Sequence, residues 1–125
     1  MSSLRERGSA TILALALIFV VIVTGLALLA AAQLVTARAR AVTAADAAAL
    51  AAAPATFPAL SNDAGPDQLA AELAQANGAR LVRCLCPIVE SFDPRDVEVE
   101  VAVAAQIAFV GGVEVRAVSR AEYVP

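Results

Sequence analysis

The sequence of 125 residues contains no histidine and no tryptophan, and all nine of its basic residues are arginine. Histidine is the commonest general base and the commonest metal ligand in proteins, so its absence argues against an enzyme and against a metal centre. The formal net charge is −3, so the chain lacks the broad basic surface that nucleic-acid binding usually needs. We therefore expect a non-enzymatic protein with no cofactor, no metal and no nucleic-acid partner.

Cysteine is also scarce: only Cys84 and Cys86 occur, too few for a disulfide-stapled scaffold. Residues i and i+2 of a strand point to the same side, so the two thiols would lie together. Their spacing in a straight strand is at or beyond the limit for a disulfide, so a direct bond needs a kink, which Pro87 could help to provide. Three interpretations remain open: buried reduced cysteines, a disulfide within the chain or to a partner, and a thiol-redox site. Two thiolates alone make an incomplete metal site.

Charge is missing from a long stretch near the N-terminus, because no charged residue occurs between Arg7 and Arg38. Within this gap, residues 10–32 are long and apolar enough to cross a bilayer, for which about 20 residues suffice. A buried helix in a soluble protein rarely lacks a polar face over such a length. We predict a leader-like cytoplasmic tip over residues 1–8 and one transmembrane helix over residues 9–32.

A signal peptide is the alternative interpretation of this segment. Residues 30–32 are alanines of the kind that signal peptidase prefers, but a signal-peptide core is typically about 7–15 residues long, which is shorter than this run. Cleavage there would leave a secreted or membrane-tethered binding module.

The flanking charges determine the orientation of the predicted membrane helix only weakly. Arg5 and Arg7 flank one end and Arg38 and Arg40 flank the other, so the positive-inside count is nearly balanced. The short tip and the folded-looking tail favour a single-pass protein of the cytoplasmic membrane, with its N-terminus inside and its C-terminal head outside the cytoplasm.

A helical stalk should continue directly from the membrane segment. Residues 33–53 are almost all good helix formers and include neither glycine nor proline, and Pro54 and Pro58 then stop the helix. Alanines recur every fourth residue from Ala37 to Ala53, which gives a small-residue face suited to close helix packing. The composition of residues 54–65 predicts a linker.

The remaining residues, 66–125, predict a small α/β head. Pro66 can begin a short helix, and the valines of residues 97–103 alternate with Glu98 and Glu100, as in a half-buried strand whose glutamates face solvent. Gly111-Gly112 predicts a two-residue hairpin turn. The fold class is therefore α+β, with a long N-terminal transmembrane and stalk helix, one short helix and a three-stranded antiparallel sheet whose apolar face the stalk covers.

This architecture resembles type IV pilin-like proteins and, more closely, the TadE/TadG-like pseudopilins of the tight-adherence (Flp pilus) system. Two stretches carry the resemblance: residues 5–17, RERGSATILALAL, and residues 41–53, AVTAADAAALAAA. The second contains the family-like positions Ala45, Asp46, Ala49 and Leu50. The tail, ANGARLVRC followed by DVEVEV, is similar to short actinobacterial members of this group.

The resemblance implies a prepilin-type peptidase site between Gly8 and Ser9. Typical prepilins carry glutamate at the fifth mature position, where it pairs with a neighbouring subunit's N-terminal amine, but this chain has Leu13 there. A minor pseudopilin of Flp-type pilus assembly or type II/IV-like secretion is therefore implied, rather than the main filament subunit. The implied partners are membrane lipid, prepilin peptidase and other pilin-like or secretion-platform proteins.

Overall fold

One long helix organises the protein. The computed structural model describes residues 3–61 and 63–125, so the first two residues of the predicted tip lie outside the described residues. Helix α1 spans Ser3–Ala55, 53 residues, or about 80 Å at 1.5 Å per residue. It crosses the predicted membrane exit without a break, contains Pro54 in its last turn and extends past both predicted ends, residues 9 and 53.

The chain after α1 forms a compact head. Helix α2 is followed by an antiparallel sheet with the strand order β1-β2-β3. This arrangement confirms the α+β fold class predicted from the sequence. The elements are α2 (Pro66–Ala76), β1 (Arg80–Leu85), β2 (Arg95–Ile107) and β3 (Gly111–Tyr123).

The core is a wall of alanines on α1 packed against valines of the sheet. Val97, Val99 and Val101 on one face of β2 are fully buried, as the period-two pattern predicted. Alanine side chains are short, so the backbone of α1 lies close to the sheet. Helix α2 also packs against α1 and buries its Ala70 and Ala74. The buried alanines of α1 are Ala37, Ala41, Ala44, Ala45, Ala48, Ala49, Ala52, Ala53 and Ala55.

The β2–β3 hairpin turns three residues earlier than predicted. The pairing Ile107↔Gly111 closes a loop over residues 108–110, and Gly111 and Gly112 belong to β3. The predicted two-residue turn was therefore wrong. A turn at the two glycines would have paired odd-numbered with even-numbered residues, setting the charged side of β3 against the valines of β2. The observed register instead places Ala117 opposite Val101. A register shifted by one residue would turn every side chain of β3 to the other face of the sheet.

A β-bulge in β1 decides which residues of that strand reach the core. The register shifts between Leu81 and Arg83. Such an extra residue restarts the alternation of side chains. As a result Leu81 and Cys84, three positions apart, both pack against the core, while Arg83 faces solvent.

Candidate functional site

The N-terminal half of α1 is an uncovered apolar rod. The segment Gly8–Ala55 is long and apolar enough to cross a membrane, and the rest of the protein buries none of its most apolar 18-residue window. Leu13 and Phe19, for example, are each 68 % exposed. A contiguous apolar surface of this extent suits a lipid environment rather than water. The helix is therefore consistent with a single-pass membrane anchor.

The residues predicted from the pilin-like resemblance all lie on this helix. Gly8 and Ser9 are exposed near its start. Farther along, Ala45 and Ala49 are fully buried against the head, whereas Leu50 is 68 % exposed. Asp46 is also exposed, and its Oδ1 accepts a hydrogen bond of 2.6 Å from the side-chain hydroxyl of a serine in β3, at position 119. The alanine side of the motif thus packs within the chain, and the leucine points away from it.

Comparison with known protein families finds a match for this helix. Residues 8–55 match the model of the family described as "Putative Flp pilus-assembly TadE/G-like". This segment is TadE/G-like. The match confirms the resemblance to TadE/G-like pilus-assembly proteins over these residues. The similarity of the head to short actinobacterial members stays a prediction. No curated protein and no solved structure matches the chain.

The TadE/G-like helix keeps a second apolar stripe that the head leaves uncovered. Leu28, Val35, Val42 and Leu50 are 67 %, 69 %, 42 % and 68 % exposed. Steps of seven or eight residues keep side chains close to one face of a helix with 3.6 residues per turn. This face adjoins the buried one, because Val42 lies one such step before the buried Ala49. The exposed Asp46, four residues from both Val42 and Leu50, lies on the same face. The outer half of the helix is therefore packed on one side and available on the other.

Cys84 and Cys86 form a disulfide in the structure, with their Cα atoms 5.4 Å apart. The chain departs from straight strand geometry here, because β1 ends at Leu85, between the two cysteines. Their sulfurs also lie within 4.8 Å of a carboxylate oxygen of Asp67. A metal would require thiolates, which the disulfide removes, so the three residues do not form a metal site in this state.

Counting the free thiols of the protein as it is made by the cell tests this disulfide. We expect no alkylation of the purified full chain without reductant and two alkylated thiols after reduction, read by intact mass. The ring has one residue between its cysteines, so little chain entropy is involved and a Cys84→Ser/Cys86→Ser variant should keep its fold. Two free thiols before reduction would contradict the disulfide. Lost function with an intact fold in that variant would favour thiol-redox chemistry.

The outer face of the sheet is a ladder of ion pairs. Glu98 lies 2.7 Å from Arg120 and 2.9 Å from Arg83, and Glu100 lies 3.5 Å from Arg116 and 3.6 Å from Arg83. Each glutamate thus contacts two arginines, and Arg83 is shared between them. This arrangement suits a solvated structural face and does not resemble a pair of catalytic carboxylates, which need unequal environments.

The ladder continues to Glu114 at the membrane-proximal part of β3. A hydrogen bond from Arg116 is the main cause that lowers the pKa of Glu114, with a smaller contribution from Arg80. Because the pKa of Glu114 is lower in the folded chain, these contacts stabilise the fold at pH values above the pKa of the unfolded chain. This contribution is lost as the pH falls through the pKa of the folded chain. All three groups are exposed, so the contribution to stability is small.

Arg95 is a buried residue that the sequence did not single out. It is 9 % exposed and donates from Nη1 to the carbonyl oxygens of Thr56 and Val89 and from Nη2 to that of Ser91. Its guanidinium also lies 5.8 Å from the centre of the Phe57 ring. Arg95 thereby ties the end of α1 to the loop over residues 86–94. Only three-dimensional contacts reveal this role, because its partners lie up to 39 residues away.

Proposed function

We propose that this chain is a non-enzymatic, TadE-like minor pseudopilin that acts in Flp-type pilus assembly or a related type II/IV-like secretion system. Its apolar helix anchors it in the cytoplasmic membrane, with the N-terminus inside and the head outside the cytoplasm. The Cys84–Cys86 disulfide supports this orientation, because disulfides persist in oxidising compartments. Its partners are membrane lipid and other pilin-like or secretion-platform proteins.

The proposal rests mainly on one observation: one side of the outer half of α1 packs against the head, and the other side is exposed. The TadE/G-like helix is continuous through Ala55, and the head covers only one side of its outer half. The remaining side exposes Val35, Val42 and Leu50. Isolated apolar side chains on a surface need no explanation, but a stripe in line with a membrane helix offers a lateral contact to another helix.

Mass spectrometry of the N-terminus of the mature protein tests how the segment is processed. A start at Ser9 supports cleavage by a prepilin-type peptidase after Gly8. A start at Gln33 supports the alternative, a secreted binding module released by signal peptidase. A start at Met1 or Ser2 leaves an unprocessed anchor, which Leu13 makes compatible with an accessory role.

Charges introduced into the stripe test the lateral contact. The Val42→Arg/Leu50→Arg variant should reduce co-purification of pilin-like subunits from the native host by about tenfold or more, because two long charged side chains would replace the apolar ones at the contact. The head should stay folded, since both side chains are exposed.

The matched control is Gln75→Arg, at an exposed position of α2 away from the stripe. This variant should co-purify the same subunits as the unmodified chain. Equal recovery with the stripe variant and with the control would contradict lateral packing through this face.

A further inference from the structure

The tip of the β2–β3 hairpin lies at the height where the apolar helix ends. The backbone N–H of Ala108 donates a 2.8 Å hydrogen bond to Oε1 of Gln33, the first residue after the apolar run. The hairpin loop, residues 108–110, is therefore attached to the helix at the predicted surface of the bilayer.

This tip is apolar and exposed. Phe109 is 80 % and Val110 67 % exposed, and no charged residue occurs in the sequence over residues 101–113. On the helix side the nearest charge is Arg38. It lies about 9 Å beyond Ala32 at 1.5 Å per residue, which corresponds to the level of lipid head groups. The membrane-proximal end of the head is thus uncharged over a continuous region.

The conformation of Phe109 is unusual for an aromatic residue. The amide of Val110 donates to the carbonyl of Ile107 (3.1 Å), which makes Phe109 the third residue of a tight turn, with φ +67°. Glycine or asparagine is favoured in such a position. An exposed phenylalanine here gains nothing from packing within the chain.

We propose that Phe109 and Val110 insert into the boundary between head groups and acyl chains of the same bilayer that α1 crosses. Apolar and aromatic side chains partition into this boundary when the backbone presents them to it. The head then meets the membrane at two points, the helix and the hairpin tip, and cannot tilt freely about the helix. This inference rests on the proposed membrane anchoring of α1.

Three single-tryptophan variants test the inference, because the chain has no tryptophan of its own. Phe19→Trp reports on the middle of the apolar helix, Phe109→Trp on the hairpin tip, and Phe92→Trp on the opposite end of the head. Phe92 is the matched control, since it is 77 % exposed and lies in the loop that Arg95 holds. Each full-length variant is reconstituted in phosphatidylcholine vesicles with or without brominated acyl chains.

The expected result is loss of tryptophan emission on bromination for the Phe19→Trp and Phe109→Trp variants and no loss for the Phe92→Trp variant. Bromine near the carbonyl end of the acyl chain should quench the reporter at position 109 most. Bromine near the methyl end should quench the reporter at position 19 most. Val110→Trp gives an independent reporter of the same tip and should behave as Phe109→Trp does.

The outcomes separate the two proposals. Quenching at position 19 without quenching at positions 109 and 110 would leave the anchor and overturn the interfacial hairpin. A blue-shifted but unquenched signal at position 109 would mean that protein covers the tip, and would also overturn it. Absence of quenching at position 19 would overturn the membrane anchor and the inference together.

Discussion

Ala48→Leu is expected to destabilise the head by about 1–3 kcal/mol, the usual cost of forcing extra methylene groups into a packed core. Ala48 is fully buried on the helix face that the sheet and α2 cover. A leucine there would push the helix away from the elements that cover it, and a three-stranded sheet of this size has little other apolar burial to compensate. The measurement is urea unfolding of the full chain in mild detergent, followed by circular dichroism.

The matched control for this prediction is Ala39→Leu on the same helix. Ala39 is exposed, so the same substitution adds no atoms to the core and should leave the unfolding midpoint nearly unchanged. Equal midpoints for the two variants would mean that the alanine face does not require small residues, and the packing described above would be wrong.

Arg95→Ala is expected to cost about 2–3 kcal/mol, since hydrogen bonds from a charged donor are worth more than neutral ones and the half-buried carbonyls of Val89 and Ser91 would lose this donor. The three carbonyls belong to Thr56, Val89 and Ser91, so the loss should concentrate at the loop over residues 86–94. Hydrogen exchange measured by mass spectrometry should show faster exchange in this loop, while β2 and β3 keep their protection.

Two controls accompany the arginine variant. Arg95→Lys keeps the charge but not the planar fork of donors, so it should fall between the native chain and Arg95→Ala. Arg80→Ala removes an arginine with a 63 % exposed side chain from the outer ladder and should change the loop little. Unchanged exchange at residues 86–94 in Arg95→Ala would contradict a tethering role for this residue.

The sequence predicts this fold well where a pattern is local. The apolar run and the alanine-rich continuation of α1 need only helix propensity and periodicity, and β2 follows from its alternating valines. The two main stretches that carry the pilin-like resemblance lie in the same helix, most of which the family match covers. The local sequence patterns and the family match therefore coincide in residues 8–55.

What the sequence did not predict depends on pairings between distant segments. Gly111-Gly112 predicts a hairpin turn because glycines favour turns, but matching the apolar face of β3 to that of β2 outweighs this preference. The bulge between Leu81 and Arg83 likewise has no local signal. No local pattern singles out Arg95, and only the folded loop shows the carbonyls to which it donates.

The unbroken helix also fixes the direction in which the head faces. No hinge separates the residues of α1 that we propose to lie in the membrane from those that carry the sheet. Each residue of an α-helix advances about 1.5 Å and turns about 100°. One alanine inserted between Thr36 and Ala37 would therefore raise the sheet by a single helical step and swing it more than a quarter turn around the membrane helix. The azimuth of the head, as seen from above the bilayer, is thus encoded in the number of residues between the membrane and Ala37.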